Sequence, residues 1–141
     1  MTKEQIILIK KSWRLLRNID PQIVGDTFYS KLFADNRSLR KMFPTDMEQQ
    51  YKKLIDMLSA IVMRLDNLEE LTDDIAAMAQ RHVQYGVKPL HYTLVGKALL
   101  WTLQTGLGAD WNKETANAWT TCYTILANTM IQATNNEKTI Q

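Results

Sequence analysis

The sequence is poor in the residues that most often carry chemistry. Among 141 residues it has one cysteine, Cys122, and two histidines, His82 and His91. A single cysteine excludes an internal disulfide framework and any multi-cysteine metal centre, and it fits a reducing, cytoplasmic setting. Three prolines and five glycines are too few for a low-complexity or loop-dominated chain. No apolar run approaches the length of a membrane span, and the opening Met-Thr-Lys-Glu-Gln lacks the apolar stretch of a signal peptide. The expectation is a soluble cytoplasmic protein with no membrane partner. A net charge of +2, evenly spread, gives no footprint for nucleic acid. No G-x-G-x-x-G or other phosphate cradle occurs.

What is present is an ordinary globular balance, 45% apolar and 23% charged. The length suits one domain over residues 1–141, since either half alone would bury little surface. Apolar residues recur with helical spacing, and no alternating strand pattern competes. Thr2 with Gln5 forms a capping box ahead of the stripe Ile6, Ile9, Trp13, Leu16. Asp20-Pro21 reads as an N-cap with proline in the first helical position. The helix behind it carries Val24, Phe28 and Leu32, with Tyr29 and Phe33 on the adjoining stripe. Pro44 disfavours helix at Phe43, so the chain turns there. A third face holds Gln50, Leu54, Leu58, Ile61 and Leu65, with Met57, Val62 and Met63 read as further core. Thr72 is a candidate cap for a shorter helix with Asp73 and Asp74 in its first turn. Gly86 reads as its left-handed stop. Pro89 opens a helix through Leu99 and Leu103 to the glycines at 106 and 108; Asn112 caps the last, with Trp119, Tyr123, Leu126 and Met130 on one side. The fold class is all-α, with six to eight helices.

Two histidines make any metal argument short. His82 shares a helix face with Ile75, Met78 and Ala79. An imidazole on an apolar stripe suits an axial iron ligand, which needs a neutral nitrogen and little water. A satisfied core histidine has the same spacing, and spacing alone leaves both readings open. His91, just behind Pro89 in the first turn of a helix, ranks second. Gln50 and Leu54 lie one turn apart and look at the same side; Tyr29 adds a phenol from the preceding helix. An amide and a phenol are good donors toward a small, partly negative ligand, although each is also compatible with an ordinary core-edge or surface position.

Taken in order, the residues resemble the globin family. Trp13, the stretch Phe28-Tyr29-Ser-Lys-Leu-Phe33, the turn Lys-Met-Phe43-Pro44 and the late Ala118-Trp119 and Tyr123 all carry the likeness. Its most specific part is Gln80-Arg-His82-Val-Gln-Tyr85-Gly86-Val-Lys-Pro89, followed by His91-Tyr92-Thr-Leu-Val-Gly96. The nearest subgroup is the single-domain bacterial globins related to flavohaemoglobin globin domains and to neuroglobin-like thermophile globins.

The resemblance implies a globin fold around haem b (iron protoporphyrin IX), with His82 as proximal iron ligand and Phe43 stacking on the porphyrin. Val87, Tyr92 and Val95 would line the haem. Tyr29, Gln50 and Leu54 would form the distal pocket, Gln50 standing where many animal globins place histidine. Glutamine ligates iron poorly, so five-coordinate or water-bound iron is expected. Lys53 would contact the haem region, as a propionate partner rather than a sixth ligand. The implied ligands are dioxygen and nitric oxide, and the implied state is a monomer or weak dimer.

Flavohaemoglobins also use a tyrosine, matched by Tyr92, and a late glutamate to enrich the proximal histidine. The glutamate's position here holds Thr134, beside Ala133, with Glu137 one turn later, which argues against a strong proximal push. No flavin or nicotinamide domain is expected on this chain, so conversion of nitric oxide to nitrate would need a separate reductase. Oxygen storage, delivery or gas sensing is the alternative. A helical scaffold without cofactor is the third reading, and a Soret band in the purified protein would exclude it.

Overall fold

Capping chemistry accounts for most of the helix starts in the computed structural model, which describes residues 1–140, with side chains through residue 134. Six α-helices are described: α1 Lys3–Leu16, α2 Pro21–Asp35, α3 Glu48–Met63, α4 Thr72–Gln84, α5 Pro89–Leu107 and α6 Lys113–Ile140. Short 3-10 segments, Arg37–Met42, Leu65–Leu71 and Gly108–Asp110, join them, and no strand occurs among the described residues. Thr2 Oγ1 accepts from the Gln5 N–H at 3.1 Å while Gln5 Oε1 accepts from the Thr2 N–H at 3.0 Å, the reciprocal box that the spacing predicts. Asp20 Oδ1 accepts from the Gln22 N–H ahead of Pro21, and Asn112 Oδ1 from the Thr115 N–H.

Thr72 departs from expectation. The 3-10 segment runs straight into α4, so Thr72 already has helical torsions (φ −55°, ψ −46°) and its hydroxyl donates back to the Glu69 carbonyl at 2.9 Å. A residue inside the helix has no cap to offer. Leu65 lies past the end of α3, in the 3-10 segment, but is buried all the same. Met63 is the second correction: it is 72% exposed, because it falls off the Leu54, Leu58, Ile61 face at the last position of α3.

The apolar core forms two clusters. The larger joins α1, α2, α3, α5 and the first half of α6, and includes Ile9, Trp13, Phe28, Tyr29, Leu54, Leu58, Leu103 and Trp119. The smaller joins Ile75 and Ala79 of α4 to Met130 of α6, with Leu71, Met78, Tyr92, Leu126 and Ala133 around them. Helix α3 packs on α2 and α1, and α4 packs on α6; among the described residues no extensive packing joins α3 to α4. The apolar stripes of α3 and α4 therefore belong to separate clusters.

Polar atoms inside the larger cluster are satisfied. Trp119 Nε1 donates to Ser12 Oγ at 2.8 Å, and Ser12 Oγ donates onward to the Leu8 and Ile9 carbonyls. Among the described residues no buried side-chain nitrogen or oxygen lacks a partner. Cys122 is buried as a small apolar side chain, its thiol pushed up to about 11 by burial. Ser12→Ala strands the Trp119 N–H and should cost about 1–3 kcal/mol in denaturant unfolding. Combining it with Trp119→Phe, which removes the orphaned donor, should cost less than the two single losses added together.

Candidate functional site

The site begins at the end of α4. His82 is half-buried, and its Nδ1 lies 2.7 Å from the Met78 carbonyl one turn earlier. A carbonyl only accepts, so Nδ1 carries the hydrogen and the lone pair is left on Nε2. The helix stops three residues later. Gly86 has φ +86°, the Gly86 N–H donates to the Val83 carbonyl at 3.0 Å, and the Val87 N–H donates to the His82 carbonyl at 2.9 Å. These are the two hydrogen bonds of a Schellman motif, with His82 as the residue whose carbonyl closes it. Both ends of His82, ring and carbonyl, are thus tied into the helix terminus. Val87 is half-buried directly behind this stop.

His91 has a different fate. Its Nδ1 accepts from the Lys88 N–H at 3.0 Å at the start of α5, so the ring serves as a helix cap. Among the described residues no three His, Cys, Asp or Glu side chains gather as a metal cluster. A ligand nitrogen at His82 would accordingly meet a metal whose other ligands come from a prosthetic group.

The second half of the site is built by α2 and α3. Gln50 Nε2 donates to the Tyr29 hydroxyl oxygen at 3.1 Å. With its oxygen occupied as acceptor, the Tyr29 O–H keeps its own hydrogen to give. Burial pushes the Tyr29 phenol above its ordinary range, the Gln50 hydrogen bond pulls it partly back, and Tyr51 raises it further. The hydroxyl is therefore a neutral donor throughout the physiological range. The Tyr29 ring is caged by four others: Phe28 at 4.8 Å, Phe43 at 5.4 Å, Phe33 at 5.8 Å and Tyr51 at 5.8 Å between centroids. Leu54, one turn after Gln50, is buried in the same cluster.

Phe43 is half-buried and extended (φ −121°, ψ 155°), as the following Pro44 requires. Its turn is clamped by Arg40, whose guanidinium donates to the carbonyls of Phe43 (3.2 Å), Pro44 (2.8 Å) and Thr45 (3.1 Å) and sits 5.5 Å over the Phe33 ring. Sequence reading missed Arg40, because backbone carbonyls as partners leave no residue-type signature. It also missed Tyr51, whose ring stacks on Tyr29.

Tyr29 is thus joined to Gln50 by a hydrogen bond and to Phe43 by an edge-on ring contact, with Leu54 in the same large cluster, while His82 stands apart on α4 with no hydrogen bond to any of them. Val95 is half-buried and packs on the larger cluster. Tyr92 joins the smaller cluster beside Met78, burial raises its phenol, and its backbone carbonyl accepts from the Tyr123 hydroxyl at 2.6 Å. Lys53 is exposed. Thr134 donates to the Ile131 carbonyl of its own helix at 2.8 Å, and the side chain of Glu137 lies outside the described residues.

The arrangement presents an imidazole held by its own helix on α4 and a phenol–amide pair with aromatic walls on α2 and α3. The sequence pattern of the Globin family matches residues 26–130, and the chain belongs to that family. It is 34% identical to a globin-like protein of Aquifex aeolicus, over 93% of this chain and 92% of that protein. It is 30% identical to a flavohemoprotein of Vibrio cholerae over 93% of this chain but 34% of the relative, so it spans about a third of that protein's length. An engineered carbene transferase made from a nitric oxide dioxygenase candidate of Rhodothermus marinus superposes with a TM-score of 0.85 at 25% identity, covering 99% of this chain and 98% of that one.

Two outcomes follow from this geometry. Gly86→Ala forces a side chain into a left-handed conformation and should cost roughly 1–2 kcal/mol in thermal unfolding, with Gly86→Asn milder because asparagine tolerates that region. The second concerns pH. Burial raises the phenols of Tyr29 and Tyr123 above their ordinary value of 10.0. A group whose folded-state pKa is raised contributes stability that is complete below its unfolded value and is lost above it. Melting temperature should therefore fall as pH rises past about 10, and Tyr29→Phe should flatten that fall.

Proposed function

We propose that this protein binds haem b through His82 and takes up dioxygen and nitric oxide beside Tyr29, with oxidation of nitric oxide to nitrate as its reaction when an outside reductase supplies electrons. The observation that carries this reading is the Gln50–Tyr29 hydrogen bond, which leaves the Tyr29 hydrogen free to donate inside an aromatic cage. When bound, the haem iron supplies the open coordination position and the one-electron chemistry.

The fit of haem to these residues rests on three observations. His82 offers Nε2 because Met78 holds Nδ1. The apolar stripes of α3 and α4 fall in separate clusters, and this reading takes the two helices as the walls for a flat apolar group. The Arg40 clamp fixes the turn that carries the half-buried Phe43 ring. Val87, Tyr92 and Val95 serve in this reading as apolar lining, and exposed Lys53 as a cation for a carboxylate at the surface. Leu54 closes the gas side, so that Tyr29 and Gln50 are the only donors assigned to the ligand.

One nitric oxide, one dioxygen and one electron make one nitrate. In that reaction Tyr29 orients the ligand and keeps it in place, and Leu54 with the surrounding rings limits water. A cytoplasmic setting, a single domain over 1–141 and a monomeric or weakly dimeric state belong to the same reading. Among the described residues no helix is long and apolar enough to cross a membrane.

A second reading, oxygen storage, delivery or sensing without turnover, has its own support. Thr134 spends its hydroxyl on Ile131, so no acid from that position meets Tyr92 to strengthen the histidine. Rapid mixing of the oxygenated protein with nitric oxide separates the two: stoichiometric nitrate with re-reduction at a useful rate supports the enzyme, and failure of re-reduction leaves the binding module.

Purified protein should show a Soret band that His82→Gly loses and added imidazole restores. Tyr29→Phe should speed oxygen dissociation by roughly 10- to 150-fold, the equivalent of a charge-assisted hydrogen bond of about 1.5–3 kcal/mol. An unchanged rate in that variant would sink the distal half of the proposal.

A further inference from the structure

We propose that Tyr51 is a positioning residue for the Tyr29 hydroxyl, anchored by Asp26, so that consecutive residues of α3 hold the hydroxyl and the ring face of one phenol. The proposal rests on the reading of Tyr29 as the donor to bound gas. Gln50 engages the Tyr29 oxygen, and Tyr51 lies nearly parallel to the Tyr29 ring, 5.8 Å between centroids with 26° between planes. None of the other three rings around Tyr29 lies as nearly parallel: Phe28 and Phe43 meet it edge-on and Phe33 is tilted. A stacked neighbour sets the plane in which a phenol can turn, and the hydroxyl lies in that plane.

Packing does not hold Tyr51 from all sides. With Tyr29, Asp26, Arg40 and Phe33 it lines an open cavity of about 420 Å³, and it is only half-buried. Two features fix it instead. Its hydroxyl donates to Asp26 Oδ1 at 3.3 Å, and the Ser30 hydroxyl steadies the same carboxylate oxygen at 3.3 Å. Its Cβ lies against Gly25 on α2, where a Cβ would come within 2.6 Å of the Tyr51 Cβ, so α2 and α3 cross too closely for any residue but glycine. Asp26, one position after that glycine and three before Tyr29, ties the outer end of Tyr51 to the helix that carries the donor. The bond to Asp26 is long and faces solvent, so Tyr51 is a tunable support rather than a rigid wall.

The test uses the haem-loaded protein and a readout that needs no gas. Oxygen dissociation is measured for Tyr51→Leu, Tyr51→Phe and Asp26→Asn, each alone and in the Tyr29→Phe background. In parallel, the Tyr29 Cζ signal is followed by carbon NMR through an alkaline titration of the protein as purified. Tyr51→Leu should speed oxygen dissociation roughly 2- to 10-fold, the scale of an aromatic pair's coupling, and should let Tyr29 ionise at lower pH. Tyr51→Phe and Asp26→Asn, which keep both rings, should move both readouts the same way by less. In the Tyr29→Phe background none of the three should add anything. Equal acceleration with and without the Tyr29 hydroxyl, or no movement of either readout in the ring-keeping variants, overturns the proposal. If Tyr29→Phe alone leaves dissociation unchanged, the gas-donor reading fails instead, and the Tyr29 signal still decides whether Tyr51 positions that ring.

Discussion

Helix α4 has one large partner, and the site depends on that constraint. An amphipathic helix must cover its apolar stripe. Ile75 and Ala79 do so on Met130 and its neighbours in α6, while α3 is spent on α2 and α1. Had α3 and α4 packed on each other, the two clusters would have merged into one core. Keeping them apart lets the stripes be buried by different helices, that of α3 by α2 and α1 and that of α4 by α6. Apolar burial contributes roughly 25 cal/mol per Å², so each pairing stabilises its own cluster.

The two sides of the site are held by different physics. On α4, backbone hydrogen bonds do the work: Met78 fixes the tautomer of His82, and the Gly86 stop fixes its carbonyl. These are local bonds that form when the helix forms. Across α2 and α3 the work is done by ring packing and by one hydrogen bond between side chains 21 residues apart. Arg40 adds a third device, a guanidinium spread over three carbonyls, which stiffens a turn that has no helix to support it. The surroundings of His82 are thus set by bonds within one helix terminus, whereas those of Tyr29 rest on contacts between helices that single substitutions can tune.

Fatty or polar character alone does not separate these roles, and the sequence shows where local reading succeeds. Thr2 with Gln5, Asp20 with Pro21, Asn112 and Gly86 act within their own helix termini, so residue type and spacing suffice to place them. Thr72 fails for an informative reason: whether it caps or sits inside the helix depends on the 3-10 segment before it, which has no strong residue signature. Met63 fails because, two residues on from Ile61, it points to the opposite side of α3 from the buried face.

Sequence by itself determined the all-α class, the helix boundaries that rest on caps, and the presence of one histidine on an apolar stripe, because those follow from interactions within a few residues. The ordered likeness from Trp13 to Tyr123 then attached roles to particular positions. Only tertiary structure decided that Gln50 gives its hydrogen bond to Tyr29, that Tyr51 lies over the same ring, and that Arg40 holds Phe43. It also decided that His91, the other histidine, is consumed as a helix cap. Each of these joins atoms through a side-chain rotamer or a helix crossing, and periodicity specifies which face a residue occupies but not what stands opposite it.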